Sequence, residues 1–590
     1  MTAAEELSSY PPIDPVNFDL IIVGTGLSES IIAAAASAVG KTILHLDPNS
    51  FYGSHFASLS LEDFTSYLNS SPKSITAEKP STTDSDYTFV NLIQKPLFSD
   101  AEFISCDSVE DSTFLRENSR KFNLDLGGPR ALFSADKTID LLLKSGAAQY
   151  LEFKGIDASF VYNANEGLMN VPDSRGAIFR DKNLSLKEKN QLMKFFKLVQ
   201  QHLGGNEDEK ISEEDLESSF SLFVFNRILL YAIAMVDFDQ ENGEVCKDLL
   251  KTKDGIDRLA QYSSSVGRFP NAPGALLYPI YGEGELPQAF CRRAAVKGCI
   301  YVLRMPVIFL LTDKVTGSYK GVRLASGQDL YSHQLILDPS FTIPSTPSSS
   351  PNDSSSESFQ ILSQRDIKGM VARGICITRN SIKPDVSNCS VVYSPRSLYP
   401  DQVTSVRALQ IGANLAVCPV GTQNNVHSHR HHQPRTAFFL KIQIRKEFGP
   451  NNKTVMGGRL LTERRKTFVT EVSFVLYFST LCNDADEGKK LLKASMNALL
   501  TLPGVQSDSE DKKPIVLWSA FYIQKLTMSK FEAISSTPTP DGNLNYNDLL
   551  DATEKLFGQM YPNEEFFPKT TSPEDTTDDD ENGIIMENGS

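Results

Sequence analysis

Two glycines and two acids carry the clearest chemical signal in this chain. Gly24-Thr-Gly26 opens a G-x-G-x-x-G loop, and Asp47 follows 23 residues after Gly24. In a dinucleotide-binding unit the glycines let backbone approach a pyrophosphate, and the later acid holds a ribose hydroxyl. The sixth place of this loop is Glu29 instead of glycine. A carboxylate in the first turn of a helix is favoured by the helix dipole. The same positive end would attract a diphosphate, so Glu29 competes with one and repels it. Two readings follow: a flavoprotein with an unusual loop, or a flavoprotein-like scaffold that no longer holds a nucleotide. A third reading, a strand–turn–helix with accidental glycines, is weakened by the spacing to Asp47.

Other candidate groups are sparser. Arg292 stands seven residues after Glu285, two helical turns on, so acid and base can share a face. Beside a strand they would form a polar recognition patch; the alternative is a solvated pair of no consequence. His427, His429, His431 and His432 cluster within 421–467. Ser428, Gln433 and Pro434 discourage the helix that would pair them, and no metal site is expected. The eight cysteines are scattered without a CxxC pair, which signals neither a disulfide framework nor zinc. No nucleophile with a base is apparent, so no catalytic residue is assigned.

The elements that must position these residues follow from pattern. Phe18–Val23 and Thr42–Asp47 read as buried strands around an Ala-rich helix at Ser28–Val39, the opening βαβ unit. Phe51-Tyr52-Gly53-Ser54-His55 is a turn-rich loop at the edge of the nucleotide-like crevice. Residues 69–111, rich in Ser, Thr and charge, are expected to be a mostly mobile insertion. A short strand at Phe122–Leu126 leads to Gly127-Gly128. The stretch 134–270 is the most helix-like. Ser185-Leu-Lys-Glu188 is a capping box, and Leu192, Phe195, Phe196 and Val199 then share one face. Phe220–Val236 is apolar nearly all round, so it is either bundle core or the lining of an apolar cavity. Glu285 and Leu286 precede Pro287 at a helix start; the helix runs to Lys297 and stops at Gly298, and Ile300–Leu303 is a strand. Further strands are expected at Phe468–Phe478 and Pro514–Ile523, and helices at Lys489–Leu500 and Asn547–Phe557. Ser340–Ser358 and 421–467 read as loop insertions, and 569–590 as an acidic disordered tail.

The chain has 590 residues, 40% of them hydrophobic, and a net charge of −15. That length allows several domains or one large α/β domain with insertions. The negative charge argues against nucleic acid and against a basic membrane anchor. The acidic N-terminus has no apolar signal core, and no apolar run is long enough to span a bilayer. A soluble protein of a reducing compartment is expected.

Several stretches together resemble one family, the Rab escort proteins, relatives of the Rab GDP-dissociation inhibitors. They are DLIIVGTGLSESI, LHLDPNSFYGSHFASLSL, FNLDLGG with TIDLLLKSGAAQYLEFKGI, VPDSRGAIFRDK, LYPIYGEGELPQAFCRRAAVKGCIYVL and LFGQMYPNEEFFP. The resemblance implies an α/β fold: a FAD/NAD-binding-like, flavoprotein-monooxygenase-like domain with mixed sheets, plus a smaller all-helical second domain. Domain I would comprise 1–133 and 271–568, and domain II 134–270. The family's Rab-binding platform falls on Tyr52, Glu285, Arg292 and Val302. Its contact with the α-subunit of Rab geranylgeranyltransferase falls on Phe179. Asn190 stands where the family carries a basic residue, and Asn cannot supply a charge-assisted fork. Phe195, Phe196, Val199, Phe223, Leu229 and Ile233 are the candidates to line a pocket for the geranylgeranyl lipid. Family members also carry a glutamate at the place of Glu29 and bind no flavin, so no cofactor is expected at Gly24 and Gly26. The implied function is an accessory one. The protein would bind a GDP-bound Rab GTPase, present it to the transferase α/β heterodimer and deliver the prenylated Rab to membranes. The alternatives are a recycling inhibitor of the Rab GDI type and an FAD-dependent oxidoreductase. The implied setting is the cytosol with transient membrane contact, the nucleus being a second compartment open to it.

Overall fold

The strand Asn17–Val23, the helix Leu27–Ala38 and the strand Ile43–Asp47 form the expected βαβ unit, and the two strands pair in parallel. The helix is buried from Leu27 to Ser37. Its run of alanines lets it lie close beside the helix Glu285–Val296, with Ile31 and Ala34 sharing a core with Leu286, Phe290 and Ala294. Small side chains make this approach possible, because packing fails wherever a larger group forces the backbones apart. The computed structural model describes residues 11–70, 86–172, 186–187, 189–190, 193, 197, 216–220, 227–241, 249–343, 369–419, 473–503, 513–526, 534–538 and 541–568.

Two large sheets organise the described residues. The first runs in the order Ile300–Leu303, Ile43–Asp47, Asn17–Val23, Asp329–Leu337, Tyr319–Leu324, Val307–Asp313, Tyr87–Asn91; its first four strands are parallel, and the rest antiparallel. The second runs Gly167–Asn170, Ala158–Asn163, Cys389–Tyr393, Val406–Gly412, Phe474–Cys482, Met370–Thr378, Val516–Lys525, Phe98–Ser105. The helix Ala485–Leu499 covers one face of it with Leu491, Leu492 and Met496. The mixed α/β architecture is the one the sequence implied. The helices at Lys137–Ser145 and Asn547–Met560 stand where expected. Gly298 ends the helix Glu285–Val296 with a left-handed φ of 94°.

Two expectations need correction. The insertion 69–111 is not uniformly mobile. Tyr87–Asn91 pairs with Val307–Asp313, Phe98–Ser105 pairs with Val516–Lys525, and Val109–Asn118 is a helix. Both strands sit on sheet edges and bury little of their surface, and polar composition is what an edge strand needs. The stretch 134–270 is not all helix either. Phe153–Gly155, Ala158–Asn163 and Gly167–Asn170 are strands, and the last two extend the second sheet. The segment 421–467 with its histidines and the tail 569–590 lie outside the described residues.

Candidate functional site

Asp47 ends its strand buried and lines, with Gly24, Ser54, His55 and Asp338, a cavity of about 300 Å³, but its carboxylate oxygens are already engaged. Oδ2 accepts from the Thr25 N–H (2.9 Å), the Thr25 hydroxyl (2.6 Å) and the Ser54 hydroxyl (3.1 Å). Oδ1 accepts from the Asn49 N–H at 2.7 Å. The acid placed to hold a ribose thus ties the glycine loop to the turn that follows it. Thr25 continues the link, since its hydroxyl accepts from the Gly53 N–H at 3.0 Å. Gly53 has φ 105°, and a Cβ there would lie 2.9 Å from the Ala57 Cα, so only glycine fits this turn. Tyr52 is therefore fixed by the residues whose pattern resembles a nucleotide clamp.

Glu29 fills the rest of that clamp. Its side chain is buried, one oxygen accepts from the Thr537 hydroxyl, and Oε2 lies 2.5 Å from where a Cβ on Gly26 would stand. Asp338 closes the other side: a Cβ on Gly24 would meet the Asp338 Cβ at 2.4 Å. The seat of a diphosphate is occupied by one carboxyl group and overlooked by two more. The residues present do not fit a dinucleotide cofactor. Burial, and then the neighbouring Asp338, push the Glu29 carboxyl well above the usual range. The unfolded chain would release this proton at ordinary glutamate values while the folded chain keeps it, so the native protein loses stability as pH rises. Glu29→Gln does not titrate. Its stability relative to the native chain should therefore increase steadily between about pH 5 and 8, as measured by denaturant unfolding across that range; parallel curves would refute the assignment.

The second group of residues meets on the other side of the Tyr52 turn. Glu285 opens the helix Glu285–Val296, and Arg292 lies two turns along it. With Tyr52, Tyr150, Gln288 and Tyr301 they line one cleft of about 270 Å³. The Arg292 guanidinium stacks 4.6 Å from the Tyr150 ring, a cation–π contact that leaves the side chain exposed. The rings of Tyr52 and Tyr301 meet edge to face at 5.9 Å. Glu285 is half-buried, and Oε2 accepts from the Tyr281 N–H at 3.0 Å. Burial raises its carboxyl to about 7. An acid poised near neutrality, an exposed guanidinium and three phenol rings can hold a partner's polar and apolar side chains together. Cys291 also lines the cleft, its thiol pushed up to about 11 chiefly by burial.

The structure thus brings Tyr52, Glu285 and Arg292 together. Val302 is not among the cleft residues. It is half-buried against the core formed by Leu44 and Leu46, and its neighbour Tyr301 takes the cleft side. Strand alternation explains the difference, since successive side chains point to opposite faces. Gln288, three residues after Glu285 on the same face, was equally legible from helical spacing.

The remaining predicted site residues scatter. Asn190 is helical and exposed, whereas Phe179, Phe195, Phe196, Val199 and Phe223 lie outside the described residues. Leu229 and Ile233 belong to the π-helical turn Ile228–Ile233, and both are buried in the core beneath the second sheet with Ile375, Leu409 and Tyr477. The cavity beside Ile233 is only about 90 Å³ and is lined also by Arg258, Gln261 and Arg407. Small-molecule pockets run to roughly 300–1,000 Å³. Among the described residues Leu229 and Ile233 are therefore packed core. No group of three metal-ligating side chains occurs among the described residues, and none of their helices is long and apolar enough to cross a membrane.

Residues 15–113 and 108–393 match the family model described as GDP dissociation inhibitor. A relative from Arabidopsis thaliana named Rab escort protein 1 is 48% identical over 99% of this chain and 100% of its own length. A relative from Mus musculus named Rab proteins geranylgeranyltransferase component A 2 is 24% identical over 95% of this chain and 98% of its own. Among solved structures, a Rab GDI from Plasmodium falciparum superposes with a TM-score of 0.59 at 18% identity, covering 93% of this chain and 99% of that one. This last likeness is one of fold.

Proposed function

The chain belongs to the GDP dissociation inhibitor family, in its Rab escort branch, and from that premise we propose that it binds unprenylated, GDP-bound Rab GTPases and presents them to Rab geranylgeranyltransferase as a non-catalytic accessory. The observation that carries this reading is the cleft in which Tyr52, Glu285 and Arg292 converge. A GTPase gripped there in its GDP form holds GDP more tightly, because a partner that prefers one state shifts the population toward it. The flexible Rab C-terminus would be offered to the transferase held near Phe179. Afterwards the chain shelters the geranylgeranyl tail in the cytosol and carries it to a membrane. Each exposed methylene of such a tail costs about 0.8 kcal/mol in water. Leu229 and Ile233, closed in the core here, would part to admit it.

The test combines this chain, the transferase dimer and an unmodified Rab. Lipid transfer is expected only when the chain is present, and Phe179→Ala should cut the rate at least about tenfold, as loss of an aromatic anchor does. Extraction of already prenylated Rab, without any dependence of transfer on this chain, would identify a recycling inhibitor instead. A flavin absorption spectrum in the purified protein would overturn both.

A further inference from the structure

The loop that delivers Glu285 to the cleft has no core of its own. Tyr281 is exposed, and Gly282 takes a left-handed φ of 102°. Gly282 and Gly284 lie so close to neighbouring chain that a Cβ at Gly282 would meet the Ser58 Oγ at 2.5 Å and the Asp125 Oδ1 at 2.7 Å, and one at Gly284 would meet the Ser58 N at 2.8 Å. Backbone bonds to Glu152 and Ala416 hold the loop at Ile280, and further on its Glu283 and Gly284 N–H groups are held through one carboxylate. Asp125 Oδ1 accepts from the Glu283 N–H at 3.0 Å and from the Ser58 hydroxyl at 2.5 Å. Ser58 Oγ in turn accepts from the Gly284 N–H at 2.9 Å. The other oxygen of Asp125 accepts from the Tyr278 hydroxyl, on the strand that leads into the same loop.

Asp125 also reaches the second half of the cleft. Its strand pairs Ser58 opposite Asp125, and Leu126 N–H donates to the Ala57 carbonyl at 3.0 Å. Ala57 directly follows the short helix Ser54–Phe56, which continues the Tyr52 turn. On its far side the Asp125 N–H donates to the Tyr477 hydroxyl of the second sheet at 3.2 Å. The Asp125 side chain thus holds the Glu285 loop to Ser58, while backbone bonds of Leu126 and Asp125 tie the same strand to the residue after the Tyr52 turn and to the second sheet.

We propose that Asp125 is a positioning residue for Rab binding: it locks the Tyr52 turn and the Glu285 loop in the relative geometry the partner needs, without touching the partner. This rests on the cleft being the Rab-binding surface. The reason is mechanical. The two cleft elements are far apart in sequence, and the loop offers Asp125 the Glu283 N–H directly and the Gly284 N–H through Ser58. A buried carboxylate with several lone pairs accepts from one N–H and two hydroxyls at once, whereas an amide of its size has only one oxygen to accept with.

Asp125→Asn is the test, read three ways. Affinity for a GDP-bound Rab should fall about tenfold or more. In a Glu285→Ala background the same substitution should cost less than about threefold, because its effect passes through the group already removed. Backbone amide exchange should quicken at Glu283 and Gly284 while the strand Phe474–Cys482 keeps its protection. Full additivity of the two substitutions, or unaltered exchange at Glu283 and Gly284, overturns the proposal. Should Asp125→Asn fail to fold, Ser58→Ala removes one arm of the clamp and is read identically. If Glu285→Ala alone leaves Rab affinity intact, the cleft assignment falls; exchange confined to the Glu283–Gly284 amides would still establish the clamp.

Discussion

Exchanging both Glu285 and Arg292 for alanine should weaken binding of a GDP-bound Rab by about a hundredfold or more, the scale on which anchor residues act. The two do not contribute alike. Arg292 is exposed and already stacked on Tyr150, so it reaches a partner without a large desolvation cost. Glu285 is half-buried beside the rings of Tyr52 and Tyr301, where a charge pairs more strongly than in open water. Its carboxyl sits near 7 because burial disfavours the ionised form. A partner's N–H or cation prefers the carboxylate, so binding should expel a proton. Affinity then climbs with pH between about 6 and 8, by at most about tenfold per unit for one proton. Glu285→Gln should abolish that slope. Folding stability runs the other way. Glu285 loses its proton at ordinary values in the unfolded chain and only near 7 in the folded one, so stability falls as pH rises through that window. Calorimetric titration at three pH values measures affinity and slope together. An unaltered Kd in the double variant would remove the cleft from the binding surface.

The parts of this site that were legible from sequence are those set by local pattern. The seven-residue interval from Glu285 to Arg292 needs only a helix, and Pro287 and Gly298 mark its ends. The turn at Tyr52 is announced by Gly53. Glu29 marks the glycine loop as unfit for a diphosphate, though in the structure it acts by filling the seat, because burial keeps its carboxyl protonated. What could not be read is everything that depends on distant strands. Asp125 lies in the short strand expected at Phe122–Leu126, Leu124–Asp125 in the structure, but nothing in the sequence joins it to its partners Ser58, Tyr278 and Glu283 in other segments. The edge strands Tyr87–Asn91 and Phe98–Ser105 bury one residue each, so composition made them look like loop. Val302 rests on resemblance alone, whereas strand alternation sets Tyr301 on the cleft side.

Arg130→Ala should destabilise the protein by about 3–5 kcal/mol, the cost of removing one member of a buried ion pair. Arg130 is fully buried. Its Nη1 donates to the Asn545 carbonyl at 2.7 Å, and Nη2 donates to Asp541, both to its carboxylate at 2.5 Å and to its carbonyl at 3.1 Å. The guanidinium lies 5.6 Å from the Phe56 ring and 5.2 Å from the Tyr546 ring. Arg373 donates to the same Asp541 carbonyl at 3.2 Å and to the Gly128 carbonyl at 2.7 Å. Two buried cations thus converge on one loop, and Glu283 is the buried acid within their field. Burial, and then Asp125, drive the Glu283 carboxyl well above the usual range; Arg130 and Arg373 act against that. Deleting Arg130 strips away three hydrogen bonds and one of the two cations that offset the burial of Glu283. Arg130→Lys keeps the charge but loses the planar fork, and should fall between alanine and the native residue. Asp541→Asn should cost less than Arg130→Ala, because the Asp541 side chain is 29% exposed and water can replace part of the pair. If Arg130 matters partly through Glu283, adding Glu283→Gln to Arg130→Ala should recover some of the loss, a coupling that a double-mutant cycle in urea measures directly. Strict additivity would mean that the two groups are neighbours without interaction. Phe56 lies under the guanidinium at the end of the Tyr52 turn, so the same variant should also loosen the turn on which Rab affinity depends.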